Sequence, residues 1–377
     1  MKILITATVQ SHISQFHRPL VDILHTYGYE VHIAAKDNLE EKNGLKLDFV
    51  DRVYNVPFSR SPLSLDNIRA YRRIKRILKD EQYEIVHCNT PMGGIITRLA
   101  ARKYRKKGLK VYYTAHGFHF YQGAPKKNWL IYYPIEKLFS RFTDKLITIT
   151  YEDYKLAKER FYCDVKHIHG VGVDEHRYHP VSLNEQNKIK NDLGFGLEQK
   201  IILCIGELLP NKNQKMAIRV MGEIIKNFPT AQLLLAGNGP EDRNLKKEIL
   251  ELGLNDNVRM LGYCTYLEKY QQISDIVISC SKREGLPLNI VEAMLSGNPV
   301  VATVNRGHKE LIEDEKNGFL VDVDDDISMA KNILKLLNNN DLRSKISNNA
   351  LDFAKFYDYS NVKREMKEIY FTQNVQK

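Results

Sequence analysis

Lys2-Ile-Leu-Ile-Thr-Ala-Thr8, a helix-period stretch around Phe16 to Tyr27, Gly28 and then Glu30-Val-His-Ile-Ala-Ala35 form the passage on which the fold turns. Two short, apolar, β-branched runs flank a segment with helical spacing, the pattern of a βαβ unit opening a parallel sheet. Further strands are predicted at Ile85 to Cys88, Val111 to Ala115 and Leu146 to Thr150, separated by helical segments at Leu65 to Lys79 and Gly93 to Lys107. After a polar stretch from Pro180 to Gln199 the pattern restarts with Lys200-Ile-Ile-Leu-Cys-Ile-Gly206. It continues through Gln232 to Gly237, Val258 to Gly262, Ile276 to Ser279 and Pro299 to Thr303. This order predicts two doubly wound α/β domains, residues 1–185 and 186–355, with 356–377 crossing back onto the first. Ligands of such sheets bind beyond the carboxyl ends of the strands, so the cleft faced by the two domains is the default active site.

A chain of 377 residues, 43% hydrophobic and 27% charged, is too long for one ordinary core and too apolar for disorder. No run of about 18 uncharged apolar residues occurs, so neither a membrane span nor a signal peptide is expected. The five cysteines lack any C-x-x-C pair, which argues for a reduced, cytoplasmic protein without a disulfide framework. Charge is uneven. Residues 1–180 carry 30 Lys and Arg against 19 Asp and Glu, a net +11, and the remainder is close to neutral. The densest clusters, Arg69 to Lys79 and Arg98 to Lys110, adjoin an aromatic stretch from Tyr112 to Tyr133, a combination suited to an anionic membrane surface. No nucleic-acid-binding motif accompanies the charge, and no nucleic-acid partner is expected.

The chemistry concentrates in Ile278-Ser-Cys-Ser-Lys-Arg-Glu-Gly-Leu-Pro-Leu-Asn-Ile-Val-Glu-Ala-Met294, where a strand ends and Pro287 introduces a helix at its first turn. The amides of Leu288 and Asn289 then point out of a helix start, ready for a phosphate. Glu284 precedes that start and Glu292 follows about one turn in, where a carboxylate can accept hydrogen bonds from ribose hydroxyls.

Glu284 and Glu292, eight positions apart, resemble the E-x7-E signature of family 4 glycosyltransferases with the GT-B fold, two doubly wound Rossmann-like domains facing a cleft. Gly170-Val-Gly-Val-Asp174, Gly206, Lys212-Asn213, Gly237-Asn-Gly-Pro240 and Glu313 through Val321 are similar to further motifs of that family. Thr114-Ala-His-Gly-Phe-His-Phe120 with Tyr133-Pro-Ile-Glu136 resembles its capsule and exopolysaccharide branch. The resemblance implies a retaining, metal-independent transferase without a cofactor. It would move a sugar, an N-acetylhexosamine from a UDP donor, onto a lipid-diphosphate-linked saccharide at the cytoplasmic face of the membrane. Glu292 would hold the ribose, Glu284 would stand near the donor sugar, and Lys212 would neutralise the diphosphate. His116 would lie beside the transferred sugar, and Gly206, Gly237, Gly285, Leu288 and Asn289 would line the nucleotide site. One departure stands out: Glu207 occupies the position where many relatives carry an arginine.

Other chemistries fit less well. The histidine pairs His116/His119 and His176/His179 have no metal-ligand spacing, and no Cys/His cluster or structural metal is expected. The acidic run Asp322 to Asp326 is read as a helix cap rather than a divalent-ion site. A glycosidase pair would need both carboxylates beside one anomeric carbon, whereas a helix turn separates Glu284 from Glu292. A UDP-sugar 2-epimerase on a similar fold stays open, as does a catalytically silent sugar-nucleotide-binding partner. Transfer in a single turnover separates the first alternative, and nucleotide binding without turnover marks the second.

Overall fold

The computed structural model describes residues 1–40 and 44–372, which divide into two compact units: Met1–Gly172 with the segment from Tyr359 onward, and Val173–Asp358. In the first unit the strands are β1 (Lys2–Val9), β2 (Glu30–Lys36), β3 (Arg52–Asn55), β4 (Ile85–Asn89), β5 (Lys110–Ala115), β6 (Lys145–Thr148) and β7 (Asp164–His167). They form one parallel sheet in the order β3-β2-β1-β4-β5-β6-β7. Six consecutive buried residues, Ile3 to Thr8, make β1 the kind of central strand that helices cover on both faces. β3 and β7 are absent from the sequence reading because they are polar sheet edges, largely exposed or half-buried, without an apolar run to announce them.

The helix Pro91–Arg105 lies tightly on this sheet because Gly93 and Gly94 lack side chains. A Cβ at Gly94 would stand 2.7 Å from the Tyr113 ring, and one at Gly93 would stand 3.1 Å from the Ala7 carbonyl carbon. On the same helix Arg98 is buried. It donates to Glu136 at 2.9 Å and to the Gly94 carbonyl at 3.0 Å, 4.0 Å over the Tyr113 ring. Arg98 therefore does not belong to the surface cluster that its sequence neighbours form, and Glu136 of the Tyr133-Pro-Ile-Glu136 motif is its structural counter-ion.

The second unit contains β8 (Ile201–Ile205), β9 (Gln232–Ala236), β10 (Val258–Gly262), β11 (Ile276–Ser279), β12 (Val300–Thr303) and β13 (Phe319–Val321), parallel in the order β10-β9-β8-β11-β12-β13. Alternate residues feed two cores: Ile202 and Cys204 point to one face, Ile201 and Leu203 to the other. The strand order reverses between β1 and β4 in one sheet and between β8 and β11 in the other, which opens a ligand crevice at each point.

The units part at Gly172 rather than near residue 185. The amide of Val173 donates to the Tyr357 carbonyl at 2.9 Å and Tyr178 enters the second core, which ties the stretch before the helix Leu183–Asp192 to the second unit. The return begins at Tyr359 rather than at 356. The helix Tyr359–Phe371 joins the first unit, burying Val362, Met366 and Ile369, stacking Phe371 on Tyr27 at 3.8 Å, and accepting from His169 through Glu365. All five cysteines are free.

Candidate active site

In the second unit, Gly206 follows β8 and the chain loops to Lys212 before the helix Gln214–Ile224. Close backbone approach fixes this corner. A Cβ on Gly237, at φ +146°, would lie 2.0 Å from the Gly206 carbonyl oxygen, so no other residue fits. The Lys212 side chain runs past Gly206, with its Cδ 3.3 Å from where a Cβ there would stand, and Nζ donates to Glu284 Oε1 at 2.6 Å. Two residues 72 positions apart thus meet as a half-buried ion pair where the sheet order reverses. The loop carrying Glu284 is held by the Lys282 amide, which donates to the Asn211 carbonyl at 2.8 Å, and by Asn211 Nδ2, which donates to the Arg283 carbonyl at 2.9 Å. Gly285 is pressed by Gly307, where a Cβ would meet the Gly285 carbonyl oxygen at 2.4 Å.

Pro287 occupies the N-cap rather than the first helical turn, and the helix runs Leu288–Leu295. Leu288 and Asn289 are its first two residues, whose amides have no intrahelical acceptor. The Asn289 side chain has a structural task, donating to the Ile205 carbonyl at the end of β8. Glu292 is half-buried against Tyr178 and Arg177, and burial pushes its carboxyl up to about 7. Arg177 and a hydrogen bond from Tyr178 oppose that rise, and Glu268 adds to it. Arg177 is itself taken up by Glu268 at 2.7 Å. Glu207 is exposed and joins no ion pair among the described residues, so it does not turn to a cation. In the acidic run, Asp325 accepts from the Ser328 amide at 3.0 Å as a helix cap, and Asp326 pairs with Arg219.

In the first unit His116 follows β5. Its Nε2 lies 3.1 Å from Asn89 Oδ1, at the end of β4, and 3.2 Å from Nε2 of His12, which follows β1. His17 packs beside both, with ring centroids 5.3 Å and 6.1 Å away. His12, His17 and His116, which no sequence spacing linked, offer ring nitrogens all within 4.8 Å of one another. Burial, reinforced by the neighbouring imidazoles His17 and His87, pushes His116 down to about 3; burial pushes His17 down to about 4. All are neutral near pH 7. Beside them Thr90 holds φ 63° and ψ 151°, a conformation that costs on the order of 1–3 kcal/mol in a non-glycine residue and persists where surrounding structure enforces it. His119 does not join the cluster. It is exposed and stacks on Tyr132 at 4.7 Å.

The sequence reading missed His12, His17, Arg177, Tyr178 and His308. His308 is buried after β12, with Nε2 lacking a partner and Nδ1 2.6 Å from the Thr303 carbonyl. Burial lowers its pKa, and Glu284 and Lys212 are near enough to modulate it. Its place after a strand's carboxyl end was the one available signal.

A groove of about 460 Å3 between the helices Asp66–Asp80 and Pro91–Arg105 is lined by Tyr71, Lys75, Arg102, Lys103, Tyr104 and Lys107. None of its four cations is in an ion pair among the described residues. Arg105, by contrast, is spent on Asp144 at 2.8 Å. The helix Lys126–Ser140 packs half-buried Trp129 and Tyr133 against the core while leaving Leu130 79% and Ile131 52% exposed. No helix among the described residues is long and apolar enough to cross a membrane.

The family model for glycosyl transferases group 1 matches residues 185–353, and that for glycosyl transferase 4-like domains matches residues 2–150. The chain belongs to the family 4-like glycosyltransferases of the GT-B fold, in their capsule and exopolysaccharide-type branch, and is an enzyme of that class. Among its relatives, EpsD of Bacillus subtilis (strain 168), a glycosyltransferase by name, is 39% identical over 371 residues, covering 98% of this chain and 96% of its own. The Escherichia coli UDP-Gal:alpha-D-GlcNAc-diphosphoundecaprenol alpha-1,3-galactosyltransferase is 27% identical over 81% of this chain and 79% of its own. The crystal structure of Anabaena Alr3699/HepE in complex with UDP and glucose matches with a TM-score of 0.77 at 21% identity, over 99% of this chain and 100% of that one, a likeness of fold.

Proposed function

We propose that this glycosyltransferase is retaining and metal-independent, and moves a sugar, an N-acetylhexosamine from a UDP donor, onto a lipid-diphosphate-linked saccharide at the cytoplasmic face of the membrane. The observation that carries the donor side is the 2.6 Å pair of Lys212 and Glu284 beside the opening of the helix Leu288–Leu295. Breaking a sugar–diphosphate bond sheds negative charge onto the nucleotide, and fixed donors at that charge lower the barrier. In this reading Lys212 exchanges Glu284 for the diphosphate when the donor arrives, and the amides of Leu288 and Asn289 share the load. Glu284, released from its cation, faces the donor sugar, and Glu292 accepts from the ribose hydroxyls. Gly206, Gly237 and Gly285 keep the backbone close enough for the nucleotide to enter. His116, neutral, hydrogen-bonds the sugar undergoing transfer.

The acceptor side is supported by the E. coli relative, whose name specifies a diphosphoundecaprenol-linked substrate. The cations Lys75, Arg102, Lys103 and Lys107, in no ion pair among the described residues, with exposed Leu130 and Ile131, suit an anionic membrane surface that holds such a substrate. The test is a thermal-stabilisation screen of nucleotide sugars followed by single-turnover transfer. A ligand at 100 times its dissociation constant adds about 2.7 kcal/mol, so the preferred donor stands out. Donor consumption that yields only an epimerised nucleotide sugar, with no transfer to any lipid-linked saccharide, would overturn the reading.

A further inference from the structure

We infer that Asp324 is a positioning residue for Lys212, acting through Asn213, so that one hydrogen bond from the acidic run after β13 holds the cation that meets the donor diphosphate. This rests on the donor reading above, in which Lys212 serves that charge. Asn213 stands at the N-cap of the helix Gln214–Ile224 and is buried, yet its side chain makes no cap hydrogen bond. A capping asparagine ordinarily has an extended backbone and accepts from the amides of the helix start. Asn213 lies instead at φ 55° and ψ 39°, in the left-handed region, and its Nδ2 donates to Asp324 Oδ1 at 2.9 Å, across 111 positions.

Asp324 has the same backbone conformation, with φ 64°, in the turn between β13 and the helix Asp326–Asn338. Among the described residues only four without a glycine backbone hold positive φ, and this one bond joins two of them. Asparagine and aspartate visit the left-handed region more readily than other side-chain-bearing residues, but less readily than glycine, so each needs support from its surroundings. The bond supplies it at both ends. Asp324 also stands 3.6 Å from Arg219 Nη2, on the helix that Asn213 opens, and 4.0 Å from Lys282 Nζ, two positions before Glu284. It therefore reaches both loops that bring Lys212 and Glu284 together.

The helix after Asn213 is anchored: Met216, Ala217 and Val220 lie in the core, and Arg219 pairs with Asp326 at 2.6 Å. A change of backbone conformation at residue 213 is therefore taken up on the side of Lys212, whose Nζ holds its place 2.6 Å from Glu284. Misplacing an active-site group by about 1 Å can cost on the order of 10²-fold in rate. Within the acidic run, capping occupies Asp325 and Arg219 occupies Asp326, and the support of Lys212 falls to Asp324.

The test uses the purified full chain. Asp324→Gly removes the carboxylate while leaving its own left-handed backbone unstrained. In ligand-free crystals of this variant, residue 213 should leave the left-handed region and the pair of Lys212 and Glu284 should part. In calorimetric titrations with UDP the variant should bind about 10-fold more weakly than wild type, the lower end of what a hydrogen bond to a charged group contributes. Lys212→Ala should bind at least as weakly. Glycine at 213 takes the left-handed conformation without help, so in an Asn213→Gly background Asp324→Gly should cost less than about twofold, a rescue that general damage to the fold would not show. Asp324→Asn, which keeps an oxygen for the bond and tolerates the same backbone, should retain most of the affinity. If circular dichroism shows Asp324→Gly unfolded, Asn213→Ala breaks the same bond from its other end. Residue 213 and Lys212 unmoved in the variant, or an equal loss with glycine at 213, overturns the inference. A wild type that does not bind UDP, while Asp324→Gly still displaces Lys212, breaks the donor reading alone. Full UDP binding by Asp324→Gly beside a weakened Lys212→Ala breaks this inference alone.

Discussion

The two sheets share one strand order about their reversal points and put opposite chemistry there. At the end of β8 and β11 stands a charged pair, Lys212 and Glu284; at the end of β1, β4 and β5 stand three neutral imidazoles and an amide. Topology fixed where the loops emerge, and residue type decided what they can hold. A cation kept beside a displaceable carboxylate suits an arriving polyanion. Neutral rings that burial and mutual repulsion keep from protonating suit hydroxyls. The charged pair in the second unit can therefore exchange partners, whereas the histidine pocket stays neutral across the physiological range.

The largest effects should come from the charged side. Lys212→Ala is expected to lower kcat by about 10² to 10³, the cost of removing one preorganised donor from a developing negative charge. Glu284→Gln should lower turnover with little change in donor affinity, because its contribution is made at the reacting sugar. Steady-state kinetics on both variants tests the division of labour, and a Lys212→Ala enzyme with wild-type kcat would break the contrast between the two crevices.

Next in size is Glu292. Its carboxyl is raised from 4.5 to about 7, so between those values the folded protein holds a proton that the unfolded chain has lost. Stability attributable to the protonated group is present below about pH 4.5 and is lost as pH rises through 7. Glu292→Gln, which cannot ionise, should be more stable than wild type by about 3 kcal/mol at pH 8, with the difference vanishing near pH 4.5. The same variant should bind UDP more weakly at pH 8, since a carboxylate accepts from two hydroxyls and an amide oxygen accepts less strongly. Denaturant melts at the two pH values and a UDP titration read the two effects separately. Weaker binding without the stability gain would mean that the carboxyl is not held up by burial.

What could be read before the fold was known follows from how each feature is encoded. Central strands such as β1 and β8 carry continuous apolar runs because both faces are covered, and these were visible. The edges β3 and β7 bury too little to leave such a run. Glu284 and Glu292 lie eight positions apart and form a local signature, whereas the contact of Lys212 with Glu284 spans 72 positions and only a family resemblance placed the two residues in one site. The histidine cluster was illegible. His116 arrives from 104 positions beyond His12, and the helix break that turns His17 inward has no strong local marker besides Pro19. Arg98 misled for the reverse reason, as one basic residue among several whose burial depends on a glutamate 38 positions away.

A smaller effect is expected at the basic face of the first unit. Each Lys or Arg near an anionic membrane contributes about 1 kcal/mol, and the contribution fades as the Debye length shrinks from ~10 Å at 0.1 M salt to ~3 Å at 1 M. Flotation with anionic liposomes should fall with salt and with neutralisation of Arg102, Lys103 and Lys107, while neutralising Arg105 should matter less because Asp144 already holds it. Leu130→Ser with Ile131→Ser should leave a salt-dependent remainder. Binding indifferent to lipid charge would remove the membrane surface from the first unit's role.

The smallest effect belongs to Glu207, the carboxylate standing where many relatives carry an arginine. Its side chain is exposed and in no ion pair among the described residues, while its backbone does the local work: the carbonyl accepts from Gln214 at 3.1 Å and from the Leu209 amide at 2.8 Å. Replacing the side chain therefore breaks no ion pair among the described residues, and Glu207→Arg should change stability by no more than about 0.5 kcal/mol, as surface substitutions do. Near a diphosphate the exchange turns a repulsion into an attraction, so donor affinity should stay level or rise, with kcat unchanged. If the folded Glu207→Arg variant instead loses transfer, Glu207 contacts a substrate itself, and the load carried by Lys212 and the helix-start amides has been drawn too simply.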